Sequence, residues 1–245
     1  MRKSLLTIAL VAICGMINAQ TTLKVKTIKE ESSLPQSGIG CSIKVDYPVS
    51  SSATFNSRIR KFILSVLDVD ECLGWASGAT KPSVRVKDMA TFRKYMKLYS
   101  RNIVNYGKSE MSENCSCDIY VKYIGQGAKF VCYKFDCSQV VFSSNNITMD
   151  YYIVSKATGK PVKSIFKDNA ENQLFALARK HLKNDEERKE FDKVNGLCQP
   201  SYWMEDSKYV NFEYFHPGMN NIVASGKIPV REAKIYMTNE MKALL

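Results

Sequence analysis

From Cys115 to Ile153 the hydrophobic period is two, whereas in Phe55 to Leu67, Met89 to Ile103 and Ala170 to Leu182 the apolar side chains recur every three or four residues. A period of two marks half-buried strands and a period near 3.6 marks amphipathic helices, so the chain must pack sheet faces against helix stripes. Ile119, Val121 and Tyr123 alternate with Tyr120, Lys122 and Ile124, and Gly125-Gln-Gly127 makes a turn. Phe130 to Phe135, Gln139 to Ser143 and Thr148 to Val154 read as further strands, with a hairpin turn at Asn145-Asn146. Strands so closely spaced predict an antiparallel meander.

Upstream, Lys24 to Ile28 alternates, and in Cys41 to Tyr47 the residues Cys41, Ile43, Val45 and Tyr47 share one face. Pro48 ends that strand, and Ser50-Ser51-Ser52 supplies helix caps. Phe55, Ile59, Phe62, Ile63, Val66 and Leu67 then stripe one helix. After a loop from Gly74 to Pro82, Asp88 caps a second helix bearing Met89, Phe92, Met96, Tyr99 and Ile103. Downstream, Thr158-Gly159-Lys160 turns the chain into a helix from Ala170 to Leu182, and Asp185 caps a short successor. Gly196 to Ser201 is loop, Tyr209 to Tyr214 and Ile222 to Gly226 are strands, and Arg231 to Leu245 forms a last helix. Helices interrupt runs of strands rather than alternating with them. The expected class is therefore α+β, with antiparallel sheets, packed helices and two small subdomains at 20–110 and 111–245.

Arg2 and Lys3 precede an apolar run from Leu5 to Ile13, and Asn18-Ala19-Gln20 follows. This is the three-part pattern of a secretory signal peptide spanning residues 1–19, cleaved after Ala19. The run is far shorter than the roughly 20 residues of a membrane span. Bulky Ile13 argues against lipidation of Cys14. No later stretch can cross a bilayer as a helix, so the expected mature protein is exported, to the periplasm or outside the cell, without a transmembrane segment. The formal charge of +11 becomes +9 once Arg2 and Lys3 leave. Export and cations dispersed along the chain, rather than gathered into one arginine-rich helix, point away from nucleic acid and towards a solvated basic surface.

Seven cysteines remain after Cys14: Cys41, Cys72, Cys115, Cys117, Cys132, Cys137 and Cys198. An oxidising compartment favours disulfides over zinc, and no Cys-x-x-Cys pair is present. A disulfide is expected among Cys115, Cys117, Cys132 and Cys137. The odd number leaves at least one thiol over.

No constellation carries an obvious reaction. The two histidines, His181 and His216, stand far apart; His181 in Arg179-Lys180-His181 reads as solvated. No Gly-x-Ser-x-Gly, phosphate-binding or dinucleotide motif occurs. Asp68-Val-Asp70-Glu71 lacks the glycine and distal glutamate of a calcium loop. Asp46, Asp150, Glu205, Asp206 and Glu213 are the acids from which a glycosidase-like pair would be drawn. Neither a metal nor a cofactor is expected. Aromatics are more suggestive: Tyr151, Tyr202, Trp203 and Phe215, with His216, flank loops in the second half and form the candidate ligand-binding set.

Three stretches carry a family resemblance: Tyr152 to Phe166 with its Thr158-Gly159-Lys160 turn, Val210 to Pro217, and Ile222 to Val230 with the final helix. Together they resemble the extracytoplasmic domain shared by the anti-sigma factor RsiV and the peptidoglycan deacetylase PdaC. Cys41 to Gly107 fits the smaller domain that precedes it there. The resemblance implies an α+β fold and a non-catalytic, envelope-facing module, which in RsiV binds lysozyme and in PdaC accompanies a separate catalytic domain. This chain departs from it at Phe142 to Thr148, where the family has a Gly-Gly-Ala-His-like stretch, and carries neither an anchor nor a deacetylase domain. The expectation is an exported binding module for an envelope polymer or a secreted protein ligand. A glycan hydrolase with a carboxylate pair and a structural surface-assembly protein are the alternatives.

Overall fold

A computed structural model describes residues 22–68, 70–111, 113–142, 144–193, 199–215 and 222–245. The expected leader, Cys198 and His216 lie outside them. The fold is α+β, with a five-stranded and a three-stranded sheet, mostly antiparallel, and packed helices. The chain divides into two compact units. An N-terminal unit holds Leu23–Tyr123 and Lys134–Asp150, and a C-terminal unit holds Ile124–Tyr133 and Tyr151–Leu245.

In the N-terminal unit β1 (Val25–Leu34) pairs antiparallel with β2 (Ile39–Pro48), which pairs in parallel with β3 (Cys115–Gln126). A parallel pair needs a long crossover. Helices α1 (Ala53–Leu67) and α2 (Met89–Glu110) provide it. Each begins at a cap read from the sequence: Ser52 accepts from the Phe55 amide, and Asp88 forms a capping box with Thr91. The whole expected α1 stripe is buried, as are Phe92, Met96, Tyr99 and Ile103 of α2. The expected loop after Gly74 instead begins in a 3-10 segment, Asp70–Gly78.

The sheet continues through β4 (Phe130–Val141) and β5 (Ser144–Ser155), in the order β1-β2-β3-β4-β5. Here the strand boundaries read from the sequence are corrected. Asp136-Cys137-Ser138 does not break β4, and Asn145-Asn146 lies inside β5. The reversal begins at Phe142, whose left-handed φ of 54° is held by its amide bonding to the Asn114 carbonyl at 2.9 Å.

Cys41, Cys115, Cys117, Cys132 and Cys137 are buried free thiols, which corrects the expected disulfide among the last four. The Sγ atoms of Cys117 and Cys137 approach only to 3.9 Å, a thiol contact far beyond a covalent bond of about 2.0 Å. Cys132 belongs to the C-terminal unit, where burial pushes its thiol up to about 12. Cys117 first, and burial second, push the Cys137 thiol well above its ordinary value.

The C-terminal unit is built on β6 (Gln199–Trp203), β7 (Tyr209–Phe215) and β8 (Ile222–Pro229), an antiparallel sheet in that order. Strand β6 thus takes over the end of the expected Gly196–Ser201 loop. Helices α3 (Glu171–Lys180) and α4 (Asp185–Lys193) follow the Thr-Gly-Lys turn. The cap of α4 is Asn184 rather than Asp185: its Oδ1 accepts from the Glu187 amide at 2.8 Å, and Glu187 Oε2 accepts from the Lys183 amide at 2.9 Å. The expected final helix is broken into α5 (Val230–Ala233), a 3-10 turn, and α6 (Asn239–Leu244). The break falls at Met237, which turns extended to bridge Phe166, and Thr238 recaps the chain.

Candidate functional site

Residues 162–167 run without regular structure beyond a single bridge, up to the 3-10 turn Asp168–Ala170, yet they are fastened along their length to the C-terminal segment. Thr238 donates its amide to the Ile165 carbonyl and its hydroxyl to the Ser164 carbonyl, both at 3.0 Å. The Lys167 amide donates to Tyr236 at 3.0 Å and its ammonium to the Ile235 carbonyl at 3.1 Å. Held open by these bonds, the segment forms one wall of a cleft of about 360 Å³, within the range of small-ligand sites. Ile153, Phe166 and Leu174 make an apolar floor. Lys163, Lys167, Asp168 and Glu171 bring charges of both signs to the lining.

Two of the candidates read from the sequence meet in this cleft, Tyr151 and Tyr202. Trp203 lies behind, its ring stacked on Tyr151 at 4.3 Å and 6°. Because β-strand side chains alternate, Tyr202 and Trp203 point to opposite faces of β6. Tyr202 packs edge-on against Phe166 at 4.9 Å, and its hydroxyl pairs with that of Tyr214 at 2.7 Å. Burial, then the Tyr214 hydroxyl and the Glu171 carboxylate, push the Tyr202 phenol well above its ordinary value, so it stays a neutral donor and acceptor. Tyr151 directs its hydroxyl towards Glu213 at 3.4 Å. Phe215, at the end of β7, does not line the cleft.

The acids singled out in the sequence do not meet here. Asp46 is buried and accepts from Thr27 at 2.7 Å and the Tyr123 amide at 3.0 Å. Asp206 closes a turn through the Lys208 and Tyr209 amides, and Glu205 faces Lys227 at 3.7 Å. Asp68 accepts from the Tyr95 hydroxyl at 3.0 Å, and no cluster that could hold a metal occurs among the described residues. His181, expected to be solvated, sits 3.2 Å from Glu232, which also binds Lys180 at 2.7 Å. Sequence reasoning missed Phe166, Asp168 and Glu171. Phe166 was visible as the apolar lead into a helix, but nothing in the sequence marked the two acids as neighbours of Tyr202.

A second, open hollow of about 630 Å³ gathers Arg179, Lys180, Arg188 and Lys189. Its guanidinium groups are already engaged, Arg179 by Asp192 at 2.6 and 2.8 Å and Arg188 by Asp185 at 2.6 Å. Among the described residues no helix is long and apolar enough to cross a membrane.

No family model and no curated protein matches the chain. Solved structures do. A member of the DUF3298 family from Bacteroides fragilis superimposes with a TM-score of 0.58 at 13% identity, covering 91% of this chain and 98% of that one. A DUF3298 family protein from Pseudomonas aeruginosa gives 0.56 at 8% identity, with the same coverage. At these identities the likeness establishes a shared fold.

Proposed function

We propose that the chain is an exported, non-catalytic binding module of the cell envelope and that its ligand occupies the Tyr151–Tyr202 cleft. The observation carrying this reading is the make-up of the lining: aromatic and aliphatic side chains with a few charged groups, and neither cysteine nor histidine. Such a surface stacks on a flat ring and fixes it with edge hydrogen bonds. A sugar of an envelope polymer or a side chain of a protein ligand meets that description. Kinship with the extracytoplasmic module of RsiV and PdaC rests on the sequence stretches given above. A +9 protein repels a basic partner such as lysozyme unless an acidic face meets it, which favours the polymer.

Trp203 reports directly on the site through its stack on Tyr151. Titration with peptidoglycan fragments, lipopolysaccharide and lysozyme is expected to change its fluorescence for one of them, and Tyr202→Ala to abolish that change. No response to any of the three removes the proposed ligands. Asp168 and Glu171, the two carboxylates in the lining of the same cleft, would give a glycan hydrolase its foothold. Release of reducing ends from peptidoglycan, lost in Glu171→Gln, would replace the binding reading with that one.

A further inference from the structure

Five of the cations that look scattered along the sequence are gathered by α2. At about 100° per residue, Arg93, Lys94, Lys97, Arg101 and Lys108 fall within an arc of roughly 100°, and at 1.5 Å per residue they extend over about 22 Å. The opposite face carries the buried Phe92, Tyr95, Met96, Tyr99 and Ile103. Every exposed residue from Thr91 to Val104 is a lysine or arginine. None of the five cations has an ion-pair partner among the described residues.

The helix carries a cost for this arrangement. Arg93 with Lys97, and Lys97 with Arg101, are like charges four residues apart, a spacing that destabilises a helix. Within α2 the only acid is Glu110, at its last residue, and Asp88 at the cap is committed to Thr91. The repulsion is therefore compensated by nothing on the helix. A counter-charge from outside would relieve it.

The shape of the stripe selects among polyanions. No apolar side chain larger than that of Ala90 is exposed on α2, so nothing is available to enter a bilayer as a surface-bound amphipathic helix does. No exposed aromatic lies on it to stack on nucleobases. Exposed Asn105 and Ser109 flank the cations with groups that hydrogen-bond to hydroxyls. We propose that the outer face of α2 is a binding surface for a linear acidic polysaccharide, whose repeating anions run along the Arg93–Lys108 stripe. The proposal is independent of the aromatic cleft.

Binding of the whole protein to heparin and to polygalacturonate, with neutral dextran as the blank, tests it. The expected result is binding to both acidic chains that weakens at least about tenfold as salt rises from about 0.05 to about 0.2 M, through release of condensed counterions. The triple change Lys94→Glu, Lys97→Glu, Arg101→Glu should weaken binding at least about tenfold, with a far-UV spectrum like that of the wild type. If that variant does not fold, the three glutamine substitutions take its place and should weaken binding in the same direction. The same charge change at exposed Lys26, Lys122 and Lys208 should leave the affinity within about twofold. The proposal is overturned if neither acidic chain binds or if the α2 variant binds like wild type. It is equally overturned if the control triple loses as much, which would make net charge the cause. Tighter binding to duplex DNA or to anionic phospholipid vesicles than to the glycans would also overturn it.

Discussion

The two units use the same aromatic residues to different ends. In the N-terminal unit Phe55, Phe92 and Tyr99 are enclosed. Their cover is a 15-residue and a 22-residue helix, each started by a side-chain cap. Tyr95 and Tyr99 still satisfy their hydroxyls, at Asp68 and at the Leu67 carbonyl. In the C-terminal unit the cover over Tyr151 and Tyr202 is the irregular 162–167 segment and the ten-residue α3, and both rings remain half-buried with room beside them. Phe191, Phe212 and Tyr214 of the same unit are enclosed, so it is the short cover over Tyr151 and Tyr202, rather than residue identity, that leaves those two able to meet a ligand.

The largest expected effect comes from breaking the enclosed side. Phe92→Ala removes a ring with no exposed surface that packs at 5.0 Å from Tyr47. It should cost about 3–5 kcal/mol in urea denaturation, whereas Tyr202→Ala should cost markedly less and remove ligand response instead. If the two losses match, the cleft is an accident of packing.

A backbone contact in the C-terminal unit ranks next. A Cβ at Gly125 would stand 2.2 Å from the Glu205 carbonyl oxygen, an atom that cannot rotate away. Gly125→Ala should cost about 1–3 kcal/mol, read from the shift in thermal midpoint.

Helix caps offer a matched pair. Ser52→Ala and Thr238→Ala each remove a hydroxyl that accepts a backbone amide at 3.2 Å, and each should cost about 1 kcal/mol. Only Thr238 also donates to the wall of the cleft. Its loss should therefore weaken ligand binding as well, while Ser52→Ala leaves affinity unchanged.

The difference between the units also marks what the sequence could disclose. The α1 and α2 stripes and their caps at Ser52 and Asp88 were legible because each is a local pattern repeated over several turns. The reversal at Phe142 was not, since its support is the distant Asn114 carbonyl, and the Asn145-Asn146 pair that signals a turn stands three positions further on, inside β5. The broken last helix hid for a similar reason: Met237 leaves helical geometry for a bridge to Phe166, seventy-one positions away. Of the site, Tyr151 and Tyr202 stood out as aromatics near loops. Asp168 and Glu171 carry no sequence signal, and the basic stripe on α2 emerged only when residues spread over sixteen positions were wound onto one helix face.

The smallest effect distinguishes two carboxylates, exposed Asp88 and half-buried Glu232. The Thr91 amide first, and its hydroxyl second, hold Asp88 below its ordinary value of 3.8. Lys180 first, and His181 second, hold Glu232 below 4.5. A carboxyl group depressed in the folded state binds fewer protons there than in the unfolded chain. Its stabilisation is thus fully present above its ordinary value and lost as pH falls through the lower, folded one. Asp88→Asn and Glu232→Gln should each cost stability at pH 7, a difference that disappears as pH falls below about 4.5, so that the acid limb of each variant's stability curve is flatter than that of the wild type. Salt separates them. Ion pairs to Lys180 and His181 are screened at high ionic strength, whereas hydrogen bonds from Thr91 are not. In about 1 M salt the Glu232→Gln difference should disappear while that of Asp88→Asn persists. Equal salt sensitivity at both sites would mean that the Asp88 cap acts through charge, the Arg60 guanidinium included, rather than through its two bonds to Thr91.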